Sequence, residues 1–156
     1  MFKGRYTVEN DSEVVVFIIG MKIHKLPMFH KWVPTLKAMG PMMKELYQNN
    51  SLGFLDGEIL LSWKGITLIQ YWRSFDQLEA YASGNTHAKT WKAFYQHAYQ
   101  NESVGIFHET YQVNAERYEA MYVNMPKHGL GKALNHIKVN KTTNRARDRI
   151  GKQSAT

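Results

Sequence analysis

The sequence predicts an α+β fold in which one antiparallel sheet packs against helices. Segments of strand length and helical stripes follow one another in the order strand, helix, two strands, helix, strand. The stretch 66–82 shows the change of period most clearly, because a β-branched and aromatic run gives way to Phe75 and Leu78 at helical spacing. Ser74 lies between the two patterns as an N-cap, so a strand leads directly into a helix.

The amino-acid composition excludes several kinds of functional site and argues against a membrane or secreted protein. The 156 residues are enough for one domain with a buried core, and 44% of them are hydrophobic. The absence of cysteine excludes disulfides, thiolate metal sites and cysteine nucleophiles. No run reaches membrane-spanning length, and residues 1–10 lack the apolar core of a signal peptide. We therefore expect a soluble, cytoplasmic protein without a membrane partner.

The basic excess lies at the C-terminal end. Eight of the 20 basic residues and one of the 13 acidic residues occur from Lys127 onward, which leaves twelve of each before it. We predict that residues 1–131 form a single domain and that residues 132–156 form a basic, flexible tail. Because this tail alone carries the excess charge, nucleic-acid binding is not expected.

The first half of the chain supplies a central strand and an interrupted helix. The continuous apolar run 14–19 is typical of a strand covered on both faces. Apolar residues then recur at helical spacing over 32–46. Pro34 suits the first helical turn, and Gly40-Pro41 is expected to kink or split the helix.

The second half adds a hairpin, helices and a closing strand. Residues 52–63 and 66–73 are predicted to pair as a hairpin. The helix that follows Ser74 precedes a second helix over 87–100, and residues 103–113 form the last strand. The order β-α-β-β-α-β predicts a ferredoxin-like split βαβ sheet with helices on one face. The other face also needs cover, and we predict that a second copy supplies it, giving a dimeric α+β barrel.

Four segments of the sequence together resemble one family. They are Ile69–Ala82, His87-x-x-x-Trp91, Gly105–Tyr111 and Tyr122-x-Asn-Met-Pro-x-x-Gly-Leu-Gly131. The family is the monooxygenase-like family of bacterial and fungal proteins in the antibiotic-biosynthesis monooxygenase (dimeric α+β barrel) superfamily. The resemblance covers residues 4–131. It implies a homodimer that oxidises a small hydrophobic or aromatic molecule, and other relatives in the superfamily bind haem between sheet and helices.

Two histidines are the candidate catalytic bases. At 100° per residue, His87 lies on the same helix face as Trp91 and points toward the sheet. Its place in the first helical turn disfavours a charged imidazole. The sequence leaves open whether His87 accepts a proton, binds substrate, ligates haem or only caps its own helix. His108 lies within the strand 103–113, where an ionisable side chain without a partner is costly.

Neighbouring strand and helix residues complete the candidate site. Glu109 follows His108, and Arg73 is its expected counter-ion, in either a structural or a functional pair. Candidate substrate-binding side chains are aromatic or amide groups: Gln70, Tyr71, Trp72, Trp91 and Tyr95. Gln70 and Trp72 share one parity of their strand while Tyr71 and Arg73 share the other. Parity alone does not say which pair lines the cavity.

Several mechanisms lack any motif in the sequence. There is no dinucleotide-binding glycine pattern, no phosphate-binding loop, no nucleophile elbow and no metal-ligand spacing of histidines and carboxylates. Three functions remain. The leading one, implied by the family resemblance, is a cofactor-independent oxygenase, in which the substrate supplies the electrons to O₂ after a base removes a proton. The alternatives are a haem protein with His87 as axial ligand, and a non-enzymatic dimer that binds a small hydrophobic molecule.

Overall fold

A computed structural model describes residues 1–100 and 102–151, except for seven helical side chains, those of Thr35, Ala38, Asn85, Thr86, Thr90, Phe94 and His97. The strands are β1 (Phe2–Val8), β2 (Val14–Ile23), β3 (Phe54–Ser62), β4 (Gly65–Trp72), β5 (Val104–Val113), β6 (Tyr122–Met125) and β7 (His136–Lys138). The helices are α1 (Phe29–Gln48), α2 (Phe75–Ser83), α3 (Asn85–Gln100), α4 (Leu130–Ala133) and α5 (Ala146–Arg149). No helix within these described ranges has the length and apolar composition needed to cross a membrane.

The main sheet has four antiparallel strands in the order β3-β4-β2-β5. The apolar run 14–19 lies in the central strand β2, as predicted, with β4 on one side and β5 on the other. Helix α1 connects β2 to β3, and α2 and α3 connect β4 to β5. This is the predicted ferredoxin-like split βαβ arrangement.

Strand parity decides which side chains meet the helices. In β4, Ile66, Leu68, Gln70 and Trp72 are buried, whereas the intervening residues are only partly buried. Those buried side chains pack in one core with alternate residues of β2 and with Met43 and Leu46 of α1. Helix α1 runs unbroken through Pro34 and Pro41, so the expected split at Gly40-Pro41 does not occur. Ser74 caps α2 by accepting the N–H of Gln77, as predicted.

A second sheet, in the order β6-β1-β7, covers one end of the opposite face. Val8, Val14, Tyr118 and Tyr122 form the buried contact between the two sheets, and Tyr71 packs against them. We did not predict that these strands pair into a second layer, because β6 and β7 have only four and three residues and carry little periodic signal.

The predicted flexible tail is corrected for residues 132–151. Strand β7 pairs with β1, and the side chain of Arg149 is buried. The Arg149 guanidinium binds the Glu119 carboxylate at 2.7 Å and donates to the carbonyls of Thr143 and Asn144. These contacts attach the basic segment to the domain, since a buried guanidinium needs several acceptors. Residues 152–156 of the predicted tail lie outside the described residues.

Beyond the second sheet, the outer face of the main sheet carries apolar side chains. Ile18, Ile69 and Phe107 are partly buried and Tyr111 is 50% exposed. The register places Ile18 level with Ile69 of β4 and with Glu109 of β5. This is the surface on which we predicted a second copy, and the dimer remains a prediction.

Candidate functional site

A small cavity lies between the four-stranded sheet and helices α1, α2 and α3. Its volume is about 50 Å³. The sheet contributes Phe17, Ile19, Gly20, Met21, Leu68 and Gln70, and the helices contribute Met39, Met42, Met43, Leu46, Leu78, Tyr81 and Trp91. For comparison, an engineered apolar cavity that binds benzene measures about 150 Å³. Four methionines line the present cavity, and their unbranched side chains are able to repack around a larger ligand.

Gln70 is the buried amide of the cavity wall, only 7% exposed. Its Oε1 accepts the indole N–H of Trp72 at 3.0 Å, and its Nε2 lies 3.6 Å from Met43 Sδ. Trp72 is fully buried and contacts the rings of Phe54 and Tyr81. The structure thus assigns the parity of Gln70 and Trp72 to the helix side of the sheet.

Tyr81 of α2 provides a hydroxyl at the cavity wall. This hydroxyl donates to the carbonyl of Met42 at 3.4 Å. Burial raises the pKa of the Tyr81 phenol far above its usual range, and the Glu45 carboxylate raises it further. The phenol is therefore protonated at neutral pH and offers a hydrogen-bond donor.

His87 lies directly behind Tyr81, in the first turn of α3. As predicted it is buried, with 5% exposure, and its ring packs against Tyr81 at a centroid distance of 3.8 Å. Its Nε2 lies 2.9 Å from Glu45 Oε2 of α1, whereas its Nδ1 is buried and has no hydrogen-bond partner among the described residues. The Nε2–H group donates a hydrogen bond to the carboxylate, so Nδ1 is the ring nitrogen with a free lone pair.

His108 and Tyr95 form a second pair at the edge of the sheet. Tyr95 Oη lies 2.9 Å from His108 Nδ1, and both side chains are exposed. The Tyr95 ring also stacks on Trp91, which lines the cavity. His108 is on the helix side of β5. It meets the cavity wall through its ring contact with Phe17, at a centroid distance of 5.9 Å, and through Tyr95 and Trp91.

Three predicted site residues lie away from the cavity. Tyr71 faces the second sheet, Arg73 is exposed beyond the end of β4, and Glu109 accepts the hydroxyl of Tyr111 at 2.6 Å. The expected Arg73–Glu109 pair does not form. The register places Glu109 level with Ile69, about 13 Å along the strands from Arg73 and on the other side of β2.

Two carboxylates that were not predicted from the sequence hold other groups in place. One is Glu45, and the other is Glu58 of β3, whose side chain is only 13% exposed. Glu58 accepts the N–H of Gly129 and binds His128 Nδ1 at 2.9 Å and Lys132 Nζ at 3.4 Å. For Glu58, its position in the middle of a strand could have indicated such a role, since a carboxylate is rarely buried without partners.

Comparison with known proteins places these features in a family. Residues 14–130 match the family model described as monooxygenase af470-like. Monooxygenase af470 of Aspergillus fumigatus is 30% identical over 151 residues, which covers 90% of this chain and 52% of that protein. The chain thus spans about half the length of this curated relative.

Two solved structures share the fold over nearly the whole chain. Aldoxime dehydratase OxdRE, crystallised with butyraldoxime, matches with a TM-score of 0.68 and 13% identity, over 95% of this chain and 43% of that one. A second aldoxime dehydratase structure matches with a TM-score of 0.65 and 16% identity, over 94% of this chain and 43% of that one. At these identities the likeness concerns the fold alone.

Proposed function

The chain belongs to the monooxygenase af470-like family, and we propose that it oxidises a small aromatic substrate in the cavity between the main sheet and helices α1–α3. The observation that carries this proposal is an apolar cavity bordered by a buried amide, Gln70, and a half-buried phenol, Tyr81. Such a lining suits an aromatic ring with one polar substituent. Among the predicted substrate-binding residues, Gln70 and Trp91 lie in this lining, and Trp72 holds Gln70.

The proposed reaction needs no cofactor if the substrate supplies all the electrons. An activated methylene group loses two hydrogens, gains one oxygen atom of O₂ to become a carbonyl, and the second oxygen atom leaves as water. The first step is removal of a proton from the methylene carbon, and the resulting carbanion transfers electrons to O₂. A cavity without bulk water protects such an anion from reprotonation.

We assign the general base to the Glu45–His87 pair. The carboxylate fixes the imidazole tautomer at Nε2, and the buried Nδ1 is the proton acceptor. The Tyr81 ring separates His87 from the cavity, so proton transfer requires this ring to shift from its position against His87. Of the other residues that we predicted as catalytic, Arg73 and Glu109 have no contact with the cavity lining among the described residues. His108 packs its ring 5.9 Å from that of Phe17, but it is exposed and hydrogen-bonded to Tyr95.

The test uses 2-indanone, a small ketone whose methylene groups lie between a ring and a carbonyl. With ¹⁸O₂ we expect 1,2-indanedione that carries one labelled oxygen atom, with the other label in water and one O₂ consumed per product. A series of such ketones with smaller and larger rings tests which ligand size the cavity accepts. Binding without any O₂ uptake across the series would instead support the non-enzymatic dimer that binds a hydrophobic molecule.

The haem alternative fits the residues less well. The cavity of about 50 Å³ is smaller than one that binds benzene, and a haem macrocycle is several times larger than benzene. His87, the predicted axial ligand, directs Nε2 to Glu45 and lies behind Tyr81. We therefore derive no step through haem, and we expect added haem to give no shifted Soret band with this protein.

We further propose that the protein is a homodimer in which two main sheets face each other. The supporting observation is the apolar outer face formed by Ile18, Ile69, Phe107 and Tyr111. Burying such a surface is the main favourable term in the association of protein chains. The cytoplasmic location predicted from the sequence remains a prediction.

A further inference from the structure

We propose that the cavity selects aromatic molecules that carry a neutral hydrogen-bond acceptor, a ketone or quinone oxygen, which binds Nε2 of Gln70. Trp72 is the positioning residue that determines this preference, because it holds the amide in one orientation. The inference rests on the proposed function in that it concerns the same cavity. It adds the chemical class of the ligand and the residue that selects it.

The orientation of the Gln70 amide follows from the chemistry of its partner. The indole Nε1 of Trp72 is a donor only, and it lies 3.0 Å from one terminal atom of Gln70. That atom must therefore be the amide oxygen, since two donors facing each other would leave both unsatisfied. Oxygen and nitrogen of an amide are usually distinguished by such a network. Trp72 is fully buried and packed between Phe54 and Tyr81, so the indole has little freedom to move away from the amide oxygen of Gln70.

The nitrogen of the same amide consequently faces the cavity wall. Its described partner is Met43 Sδ at 3.6 Å, and a thioether sulfur is a weak acceptor. Gln70 and Met43 both line the cavity and are both buried. A ligand oxygen would give the amide N–H a stronger acceptor than the sulfur does, while a ligand donor would meet another donor. The site thus discriminates by hydrogen-bond polarity, and not by shape alone.

The Tyr81 hydroxyl, the second polar group of the lining, is also a hydrogen-bond donor. It is held only loosely by the Met42 carbonyl, at 3.4 Å. The remaining lining is largely aliphatic side chains, methionines and Trp91, which favour a ring over a charged or extended molecule. Two donors at the edge of an apolar cavity therefore favour a ring with an acceptor oxygen.

The experiment compares two molecules of equal shape, acetophenone and α-methylstyrene, in which a C=O replaces a C=CH₂ group. Binding to the full chain is followed through ¹³C-labelled methionine methyl signals, because Met21, Met39, Met42 and Met43 line the cavity. We expect acetophenone to bind about tenfold more tightly, the effect of one buried hydrogen bond. Equal affinities, or tighter binding of α-methylstyrene, would overturn the inference, as would binding of neither molecule.

Variants separate the roles of the two residues. Gln70→Met, a substitution of similar volume, should reduce the preference to less than threefold. Trp72→Phe removes the indole N–H, so the amide is free to rotate, and the preference should also fall below threefold. Gln112→Met is the matched control, because Gln112 is an exposed glutamine of β5. It should retain the tenfold preference. If Trp72→Phe does not fold, Gln70→Met alone decides whether the amide selects the ligand.

This binding assay is independent of turnover. A retained acetophenone preference without O₂-dependent turnover would contradict the proposed oxygenase and leave the inference intact. Turnover of 2-indanone together with equal affinities for the two probes would contradict the inference and leave the oxygenase intact.

Discussion

At the scale of single residues, the polar groups near the cavity act in pairs. Glu45 orients His87, and Trp72 orients Gln70. Glu45 belongs to α1 and His87 to α3, whereas Trp72 lies two residues after Gln70 on the same strand and is fixed by packing. A buried polar group that is half satisfied is costly, so the free atom of each pair is the natural point of contact with a ligand or a proton.

His87→Gln tests the role of the imidazole as a base. We expect a loss of about 10²–10⁴ in kcat for 2-indanone oxidation, because glutamine preserves hydrogen bonding but accepts no proton at neutral pH. Glu45→Gln should lower kcat less, since it disturbs only the orientation of the ring. Circular dichroism verifies that both variants remain folded. His108→Gln is the matched control, and a loss there equal to that of His87→Gln would contradict the assignment.

At the scale of elements, short strands are stabilised by contacts from distant parts of the chain. β7 has three residues, yet it holds His136 among the rings of Phe2, Tyr6 and Tyr122. The imidazole stacks on Tyr6 at 4.8 Å and nearly parallel, and neither ring nitrogen has a partner within the described part of the chain. Long-range packing of this kind compensates for the weak intrinsic stability of a short strand.

His136 makes the second sheet sensitive to pH. Burial lowers the pKa of His136 below its usual value, and the nearby Lys127 charge lowers it further. The unfolded chain therefore binds a proton at this site at a higher pH than the folded protein does. Stability is full above the unfolded pKa of about 6.5 and falls as the pH decreases from there toward the folded pKa.

The measurement is the free energy of unfolding in urea between pH 8 and 5. We expect the wild type to lose more stability on acidification than His136→Phe, which keeps the ring and cannot be protonated. The two proteins share every other residue, so the difference between the two curves isolates His136. Parallel curves for the two proteins would show that His136 is not the group responsible.

The attachment of α5 is tested by Arg149→Met. Removing the guanidinium leaves Glu119 without its partner and removes a donor from the carbonyls of Thr143 and Asn144, of which the second keeps its bond from Arg5. Because Glu119 remains about one-third exposed, we expect a loss of about 2–3 kcal/mol, less than for a fully buried pair. Arg147→Met, two residues away and exposed, should change stability by less than about 0.5 kcal/mol. Equal effects in urea denaturation would mean that α5 is not held by Arg149.

At the scale of the whole molecule, the main sheet has two faces of different character. One face carries the helices and the cavity, and the other is covered by β6-β1-β7 only at one end. The rest of the outer face carries Ile18, Ile69, Phe107 and Tyr111, and we expect a second copy to cover it.

The dimer is tested by sedimentation equilibrium at micromolar concentration. We expect a dimer for the wild type and a monomer for Ile69→Lys, which places a charge in the middle of the apolar outer face. Ile59→Lys is the control, because Ile59 is already 55% exposed on the opposite side of the sheet. A monomeric wild type would remove the barrel model, while the cavity of the single chain would be unaffected.

The sequence by itself determined the order of the strands and helices of the main sheet, the family and the burial of His87. Hydrophobic periodicity and capping are local, so the strand 14–19, the cap at Ser74 and the helical face of His87 and Trp91 could be predicted from neighbouring residues. The shared parity of Gln70 and Trp72 was also visible, because it depends only on the two-residue period of a strand.

Only the tertiary structure decided which parity faces the helices and which distant side chains meet. Arg73 and Glu109 had suitable charges, but the strand register separates them. Arg149 and His136 were assigned to a flexible tail because their segment is polar, yet their partners are Glu119 and the rings of Phe2, Tyr6 and Tyr122. Such contacts join residues far apart in the chain, and local sequence patterns carry no information about which of them will form.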